Sequence, residues 1–287
     1  MNSLLLFLLF LLLFLLPLSS PFTLLPTPTF IHVRVGKPTQ SPLYGSWGPD
    51  PIWKPSREPT FTTLPPADHI RVTAPYDRVA NYTTPGQYIQ MKSGDKVSYL
   101  AIANSPQSAT VSGELEFIVK KSESSEPLFS QDPTVEISQV LGEGFPISTI
   151  AGYGYDFPLA TVVLLAIGTG IAPIKALIDA DTLELSKVGN SGRRGILYYG
   201  VREEKDSLLE EAVVEEWEKK FNLDIRVCYS GNSGKRVTDV LRDECEDVFA
   251  TPRNTGCVVC GTKELMESVK EVAKENGVLE GRVVSNF

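Results

Sequence analysis

Two rhythms divide the chain. Between Pro65 and about Ile150, apolar and polar residues alternate in short runs. In Glu114-Leu115-Glu116-Phe117 the period is two, which buries one face of a strand and wets the other. Runs at 70–73, 87–91, 99–103, 113–119 and 134–138 have the same character. Turn residues separate them: Pro85-Gly86, Ser93-Gly94-Asp95 and the glycines of 142–144. Short strands at this spacing predict a small antiparallel barrel or sandwich.

From Leu159 the grammar changes. Residues 161–167 are almost continuously apolar, as a parallel strand buried on both faces should be. Further strands are expected at 195–201, 224–229 and 256–260, with helices starting near Pro173, Ser207, Thr238 and Thr262. Leu208, Leu209, Ala212, Val213, Trp217 and Phe221 make a helical stripe. Thr262 is a natural N-cap for the last helix, whose apolar face holds Leu265, Val269, Val272 and Ala273. Strand alternating with helix predicts a doubly wound parallel α/β domain over 158–287, behind an antiparallel β domain over 65–152.

The first 64 residues are expected to stand outside this fold. Leu4 to Leu16 is an unbroken run of Leu and Phe ended by Pro17. Thirteen residues fall short of the roughly 20 that span a bilayer, but they suit the apolar core of a signal. Residues 1–25 are therefore a targeting segment, and no stable membrane span is expected in the mature chain. No acid occurs before Asp50, and twelve of the 21 prolines lie between Pro17 and Pro66. Residues 26–64 read as a Pro-rich transit segment or linker. Two addresses fit: a plastid (chloroplast), through an ER signal followed by a transit region, or the secretory pathway with or without a membrane anchor.

Composition trims the field of functions. With 35 acidic and 27 basic residues the formal charge is −8, which argues against nucleic acid as partner. The four cysteines are too few and too clustered for a disulfide framework, and the two histidines, His32 and His69, both lie in the N-terminal third. A histidine metal site or a His-based triad in the second half is excluded by inventory, and no metal is expected. Cys257 and Cys260 form a CxxC spacing, but on a strand entering a turn rather than at a helix start. Zinc would need a second pair of ligands, so Cys257 is assigned to packing.

The chemistry concentrates at Gly168-Thr169-Gly170-Ile171-Ala172-Pro173, between the buried strand and a helix. Glycines let backbone approach a ligand, and Pro173 suits the first helical turn. The amides and dipole of the helix then face an anion such as a phosphate.

Three segments in order carry a resemblance: the 168–173 turn, Leu197-Tyr-Tyr-Gly-Val-Arg202 and Val259-Cys-Gly-Thr-Lys263. Together they resemble the nucleotide half of the ferredoxin–NADP reductase superfamily, over about 65–287. Within it the Asn-aromatic tail is similar to a plant and algal branch of reductase-like "fruit proteins". The resemblance implies a flavin-binding barrel followed by an NAD(P)-binding domain, with FAD (or FMN) and NADH or NADPH as cofactors. Gly168, Thr169 and Gly170 match the pyrophosphate loop. Gly200, Arg202 and Ser230 match positions beside the adenosine half, although Gly231 stands where the family has arginine. Cys260 and Gly261 match the turn by the nicotinamide. On the flavin side the family's Arg-x-Tyr-Ser becomes Ser98, Tyr99, Leu100 and Ala101. The contacts expected to remain are Tyr99, Ala101, Ile102, Ala103 and Asn104, with Lys120 on the next strand and Gly144 in a glycine turn near the flavin phosphates. Phe287 matches the C-terminal aromatic that covers the flavin, so Cys260 and Phe287 are the candidate catalytic residues. The resemblance implies hydride transfer between NAD(P)H and flavin, with electrons passed to an unknown acceptor. A flavin-free NAD(P)-binding sensor or scaffold is the alternative.

Overall fold

The computed structural model describes residues 54–55, 69–74, 76–120, 125–129, 135–151, 156–188 and 192–286. The leader, most of the Pro-rich segment, Lys121 and Phe287 lie outside the described residues. Among the described residues no helix is long and apolar enough to cross a membrane, and no group of three acids, histidines or cysteines could hold a metal.

The first half is antiparallel. Strands β1 (Lys54–Pro55), β2 (His69–Thr73), β3 (Tyr88–Ser93), β4 (Lys96–Ala101), β5 (Glu114–Ile118) and β6 (Glu136–Ile137) form a four-stranded sheet, β1-β6-β3-β4, and the pair β2-β5. An antiparallel bridge from Ile102 to Phe117 joins the two. The β3–β4 hairpin turns through Gly94 and Asp95, with Ser93 opposite Lys96 and Gly94 at φ 58°. Ile89, Met91, Leu100, Leu115, Phe117 and Ile137 fill the interior. The alternation read in 114–117 thus places Leu115 and Phe117 inside.

Short helices α1 (Tyr76–Ala80), α2 (Pro106–Ser112) and α3 (Ile147–Ala151) decorate this half. Helix α2 breaks the predicted run of strands. Its signals are complete: Ser105 caps it by accepting from the Ser108 amide, Pro106 opens it, and Gly113 closes it at φ 73°.

The second half is a five-stranded parallel sheet, in the order β11-β10-β7-β8-β9. Its strands are β7 (Thr161–Ile167), β8 (Arg194–Val201), β9 (Leu223–Tyr229), β10 (Thr255–Cys260) and β11 (Val283–Ser285). Helices α4 (Ile171–Asp179) and α5 (Glu211–Lys220) supply one face. The short helices α6 (Ser230–Ser233) and α8 (Cys245–Val248) flank α7 (Val237–Asp243), and with α9 (Lys263–Glu275) complete the set. Val162, Leu164 and Ala166 of β7 pack with α4 and α5, whereas Val163 and Leu165 pack with α7 and α9. Two buried faces explain the continuous apolar run, and the doubly wound expectation holds. The expected helix at Ser207 begins instead at Glu211. Residues 207–210 are a lead-in whose Leu208 and Leu209 face the core, the Leu208 amide donating to the Tyr199 hydroxyl at 3.1 Å.

One apolar cluster runs through both halves. Ala103, Ile118, Phe145 and Ile150 join Leu164, Ile171, Leu177 and Val284 in it. Helix α3 packs on β11, and Ile150 fills the space beside Gly256.

Candidate dinucleotide and flavin site

At the end of β7 the chain makes a single 3-10 turn, Gly168–Gly170, and runs on into α4. Gly168 sits at φ 52°, in the left-handed region that favours glycine, and a Cβ there would meet nothing within 4 Å. Its lack of a side chain therefore serves the backbone and leaves the surface above the turn open. Gly170 answers a different need. A Cβ there would lie 2.5 Å from the Cys260 carbonyl oxygen. No side chain caps α4, and Pro173 is buried in its first turn. Thr169 is exposed at the rim.

The turn lies beside the end of β10. Strands β7 and β10 are neighbours, yet their following helices go to opposite faces. That divergence opens a crevice beyond the strand ends, the place where open α/β sheets bind ligands. Gly261 closes against β7, since a Cβ there would come 2.6 Å from Ile167 Cγ1. The fold thus brings the 168–170 and 260–261 segments together.

The second cluster of expected residues sits at the ends of β8 and β9. A Cβ at Gly200 would strike Val237 Cγ2 at 2.3 Å, so this glycine admits α7. Arg202 is exposed just past β8, and its carbonyl accepts the Gly231 amide at 2.7 Å. A Cβ at Gly231 would lie 2.6 Å from that same oxygen, so the position has no room for the arginine that the resemblance implies. The Ser230 hydroxyl donates to the Val201 carbonyl at 3.3 Å. Nearby cations pair with acids: Lys205 with Glu203 at 2.7 Å and Lys235 with Asp243 at 2.6 Å.

Cys257 and Cys260 are three apart on β10, so their thiols enter opposite faces of the sheet. Burial pushes both up to about 12 from the usual 9.0. Each is a neutral thiol at physiological pH, suited to soft packing rather than nucleophilic attack. A raised thiol stabilises the fold fully below its unfolded pKa and loses that contribution as pH climbs through the folded one. Unfolding titrations should therefore show stability falling between about pH 9 and about pH 12. Cys257→Ala should shallow that slope, and an identical slope in the variant would refute the assignment.

On the barrel, β4 points Ser98 and Leu100 inwards and leaves Tyr99 67% exposed on the outer face. Tyr99 shares that face with Ala101 and Tyr88; the two rings lie 6.3 Å apart, tilted by 41°. The positions aligned with the family's arginine and tyrosine therefore face the core, while the intervening Tyr99 is presented outwards. The Ile102 amide donates to the Gln87 carbonyl at 3.1 Å and that of Ala103 to Glu116 at 2.7 Å. Asn104 is buried and stitches its loop to β5, donating to the Glu114 carbonyl and accepting the Glu116 amide. The amide donors of Ile102 and Ala103 and the Asn104 side chain are thus engaged inside the barrel; Ala101 and Tyr99 are the members of this set on its outer face. Lys120 pairs across the halves with Asp206 at 3.5 Å. Gly144, at φ 78°, lies against Thr84 and Pro85, where a Cβ would come 2.6 Å from Thr84 Cγ2.

The sequence marks Asn286 only as part of the Asn-aromatic tail and gives it no structural role. It follows β11 and donates from Nδ2 to the Gly86 carbonyl at 3.1 Å, while the Cys260 thiol lies 3.7 Å from its Oδ1. Its sequence signal was faint, a polar residue between a short strand and the last aromatic. Tyr88 was likewise read only as part of a strand.

Residues 164–271 match the family model of the oxidoreductase NAD-binding domain. Fruit protein pKIWI502 of Actinidia deliciosa is 26% identical over 226 residues, covering 72% of this chain and 67% of that protein. An NADPH–cytochrome P450 reductase of Drosophila melanogaster is 31% identical over 80 residues, 28% of this chain and only 12% of that protein. Among solved structures, the ferredoxin–NADP+ reductase of Plasmodium falciparum superposes with a TM-score of 0.57 at 17% identity, covering 82% of this chain and 95% of that one.

Proposed function

We propose that this chain, with an oxidoreductase NAD-binding domain behind an antiparallel barrel, is an NAD(P)H-dependent flavin oxidoreductase of the ferredoxin–NADP reductase type. The observation that carries it is the meeting of the Gly168–Gly170 turn with Cys260 and Gly261 at the divergence of β7 and β10, beside the barrel turn that holds Gly86.

In this reading the uncapped end of α4 receives the pyrophosphate through its amides and dipole, and Gly168 keeps the approach clear. Arg202 and Ser230 border the adenosine half. Cys260 stays protonated beside the nicotinamide and offers a polarizable, uncharged wall. On the barrel, Tyr99 and Tyr88 give an aromatic platform with Ala101 between the strands' outer edges, which suits a flat ring. A flavin held on this face would supply the conversion between hydride and single-electron chemistry, while the protein's own residues supply orientation and electrostatics. No acid or base is required at the crevice.

A second reading has a specific observation behind it. With Ser98 and Leu100 turned inwards and the Ile102 and Ala103 amides engaged, the barrel supports a flavin-free NAD(P) sensor. The visible spectrum of the purified full chain separates the two. The enzyme reading expects bound flavin absorbance that NADH or NADPH bleaches without oxygen. Dinucleotide binding with no flavin retained at saturating FAD or FMN would move the assignment to the sensor. Binding of neither would end both.

A further inference from the structure

Asn286 makes two bonds that run in one direction. The Cys260 thiol lies 3.7 Å from its Oδ1, and its Nδ2 donates to the Gly86 carbonyl at 3.1 Å. Cys260 closes β10, where the phosphate turn rests against its carbonyl; Gly86 belongs to the barrel. One carboxamide therefore ties the crevice of the parallel sheet to the barrel rim.

The surroundings leave this tie little slack. Gly86 sits at φ 96°, and a Cβ there would lie 2.9 Å from Phe145 and 3.1 Å from Asn286 Cβ. The Phe145 amide donates to the Pro85 carbonyl at 2.8 Å, which holds the turn from behind. The chemistry of the tie is specific as well. A thiol must keep its proton to donate, and the buried Cys260 keeps it. The group between must accept at one end and donate at the other, as an amide does and a carboxylate does not.

We propose that Asn286 is a positioning residue, a latch that fixes the nicotinamide end of the crevice against the barrel face so that the two reacting rings meet in register. The proposal rests on the oxidoreductase reading above. The latch acts on alignment and not on pyrophosphate binding, because it touches neither Gly168 nor Thr169. Its loss should slow the transfer and leave dinucleotide affinity alone.

The test uses the full chain with Asn286→Ala and Asn286→Asp. Three quantities are read: single-turnover flavin reduction by NADH and NADPH, dinucleotide affinity by calorimetry, and peptide-resolved alkylation of Cys260 by iodoacetamide. In Asn286→Ala, reduction should slow about tenfold or more. Affinity should change less than about twofold, since the pyrophosphate turn is untouched. Cys260 should alkylate faster. In Asn286→Asp the carboxylate faces the Gly86 carbonyl without a proton to share. Its reduction rate should recover as pH falls through the range in which the introduced carboxyl protonates, below about 5. Wild type should show no such recovery. An unchanged reduction rate in Asn286→Ala, a parallel fall in affinity, or an Asn286→Asp pH profile that tracks wild type would each overturn the latch. If wild type holds no flavin, the oxidoreductase reading fails by itself. The tie is then judged by alkylation alone: faster labelling upholds it, equal labelling overturns it.

Discussion

Gly170→Val is expected to abolish pyridine-nucleotide binding and to destabilise the fold. The first added carbon would lie 2.5 Å from the Cys260 carbonyl oxygen and 3.0 Å from its carbonyl carbon. Both are backbone atoms of a fully buried strand, so relief must come from moving the turn itself. Overpacking of this kind costs about 1–3 kcal/mol, and a branched side chain falls at the upper end. For a unit of this size each kcal/mol lowers Tm by about 2–4 °C. Gly168→Ala supplies the contrast. Its added carbon meets nothing within 4 Å, but its φ of 52° is left-handed and costs about 1–2 kcal/mol. That methyl would project into the space where a phosphate is expected. Calorimetric titration with NADH and NADPH, beside thermal melts, should show Gly168→Ala losing more affinity than stability and Gly170→Val losing both. Undiminished binding in both variants would remove the turn from the site.

Trp217→Ala should cost about 3–5 kcal/mol, the largest stability loss expected of a single substitution here. The indole on α5 is 2% exposed and packs in the cluster that backs α4. Its Nε1 donates to Asp179 Oδ1 at 2.8 Å, and Asp179, the last residue of α4, also takes Lys175 at 2.6 Å. The tryptophan thus holds the far end of the helix whose near end faces the ligand. Trp217→Phe keeps most of the ring and gives up the hydrogen bond, for about 1 kcal/mol. Urea unfolding of the three proteins separates packing from hydrogen bonding. Equal losses in the two variants would mean that the bond to Asp179, not the buried ring, anchors α4.

The parallel half was legible because its signals are redundant. Residues 161–167 are apolar on both faces, and the observed strand has those same ends. Thr262 caps α9 as read, accepting the Leu265 amide at 3.3 Å. Where one signal stood alone it misled. Leu208 and Leu209 continue the periodicity of α5, but Glu210 sits at the N-cap, and a stripe cannot distinguish an extended lead-in from a first turn. The barrel half was legible in outline only. Motif alignment set Leu100 in the place of a flavin-facing tyrosine, while the pleat turns Leu100 inwards and Tyr99 outwards. A shift of one residue exchanges the faces of a strand, and alignment by residue type carries no information on which face is wet. Asn286 was illegible for another reason. Its partners, Gly86 and Cys260, are distant in sequence and contribute a backbone carbonyl and a thiol.

The apolar cluster shared by Ala103, Ile118 and Phe145 with β7, α4 and β11 has a consequence for modularity. A seam of this kind cannot be cut without laying oily surface bare on both pieces. The halves are therefore poor candidates for shuffling into chimaeras, because each would lose part of its own core with its neighbour.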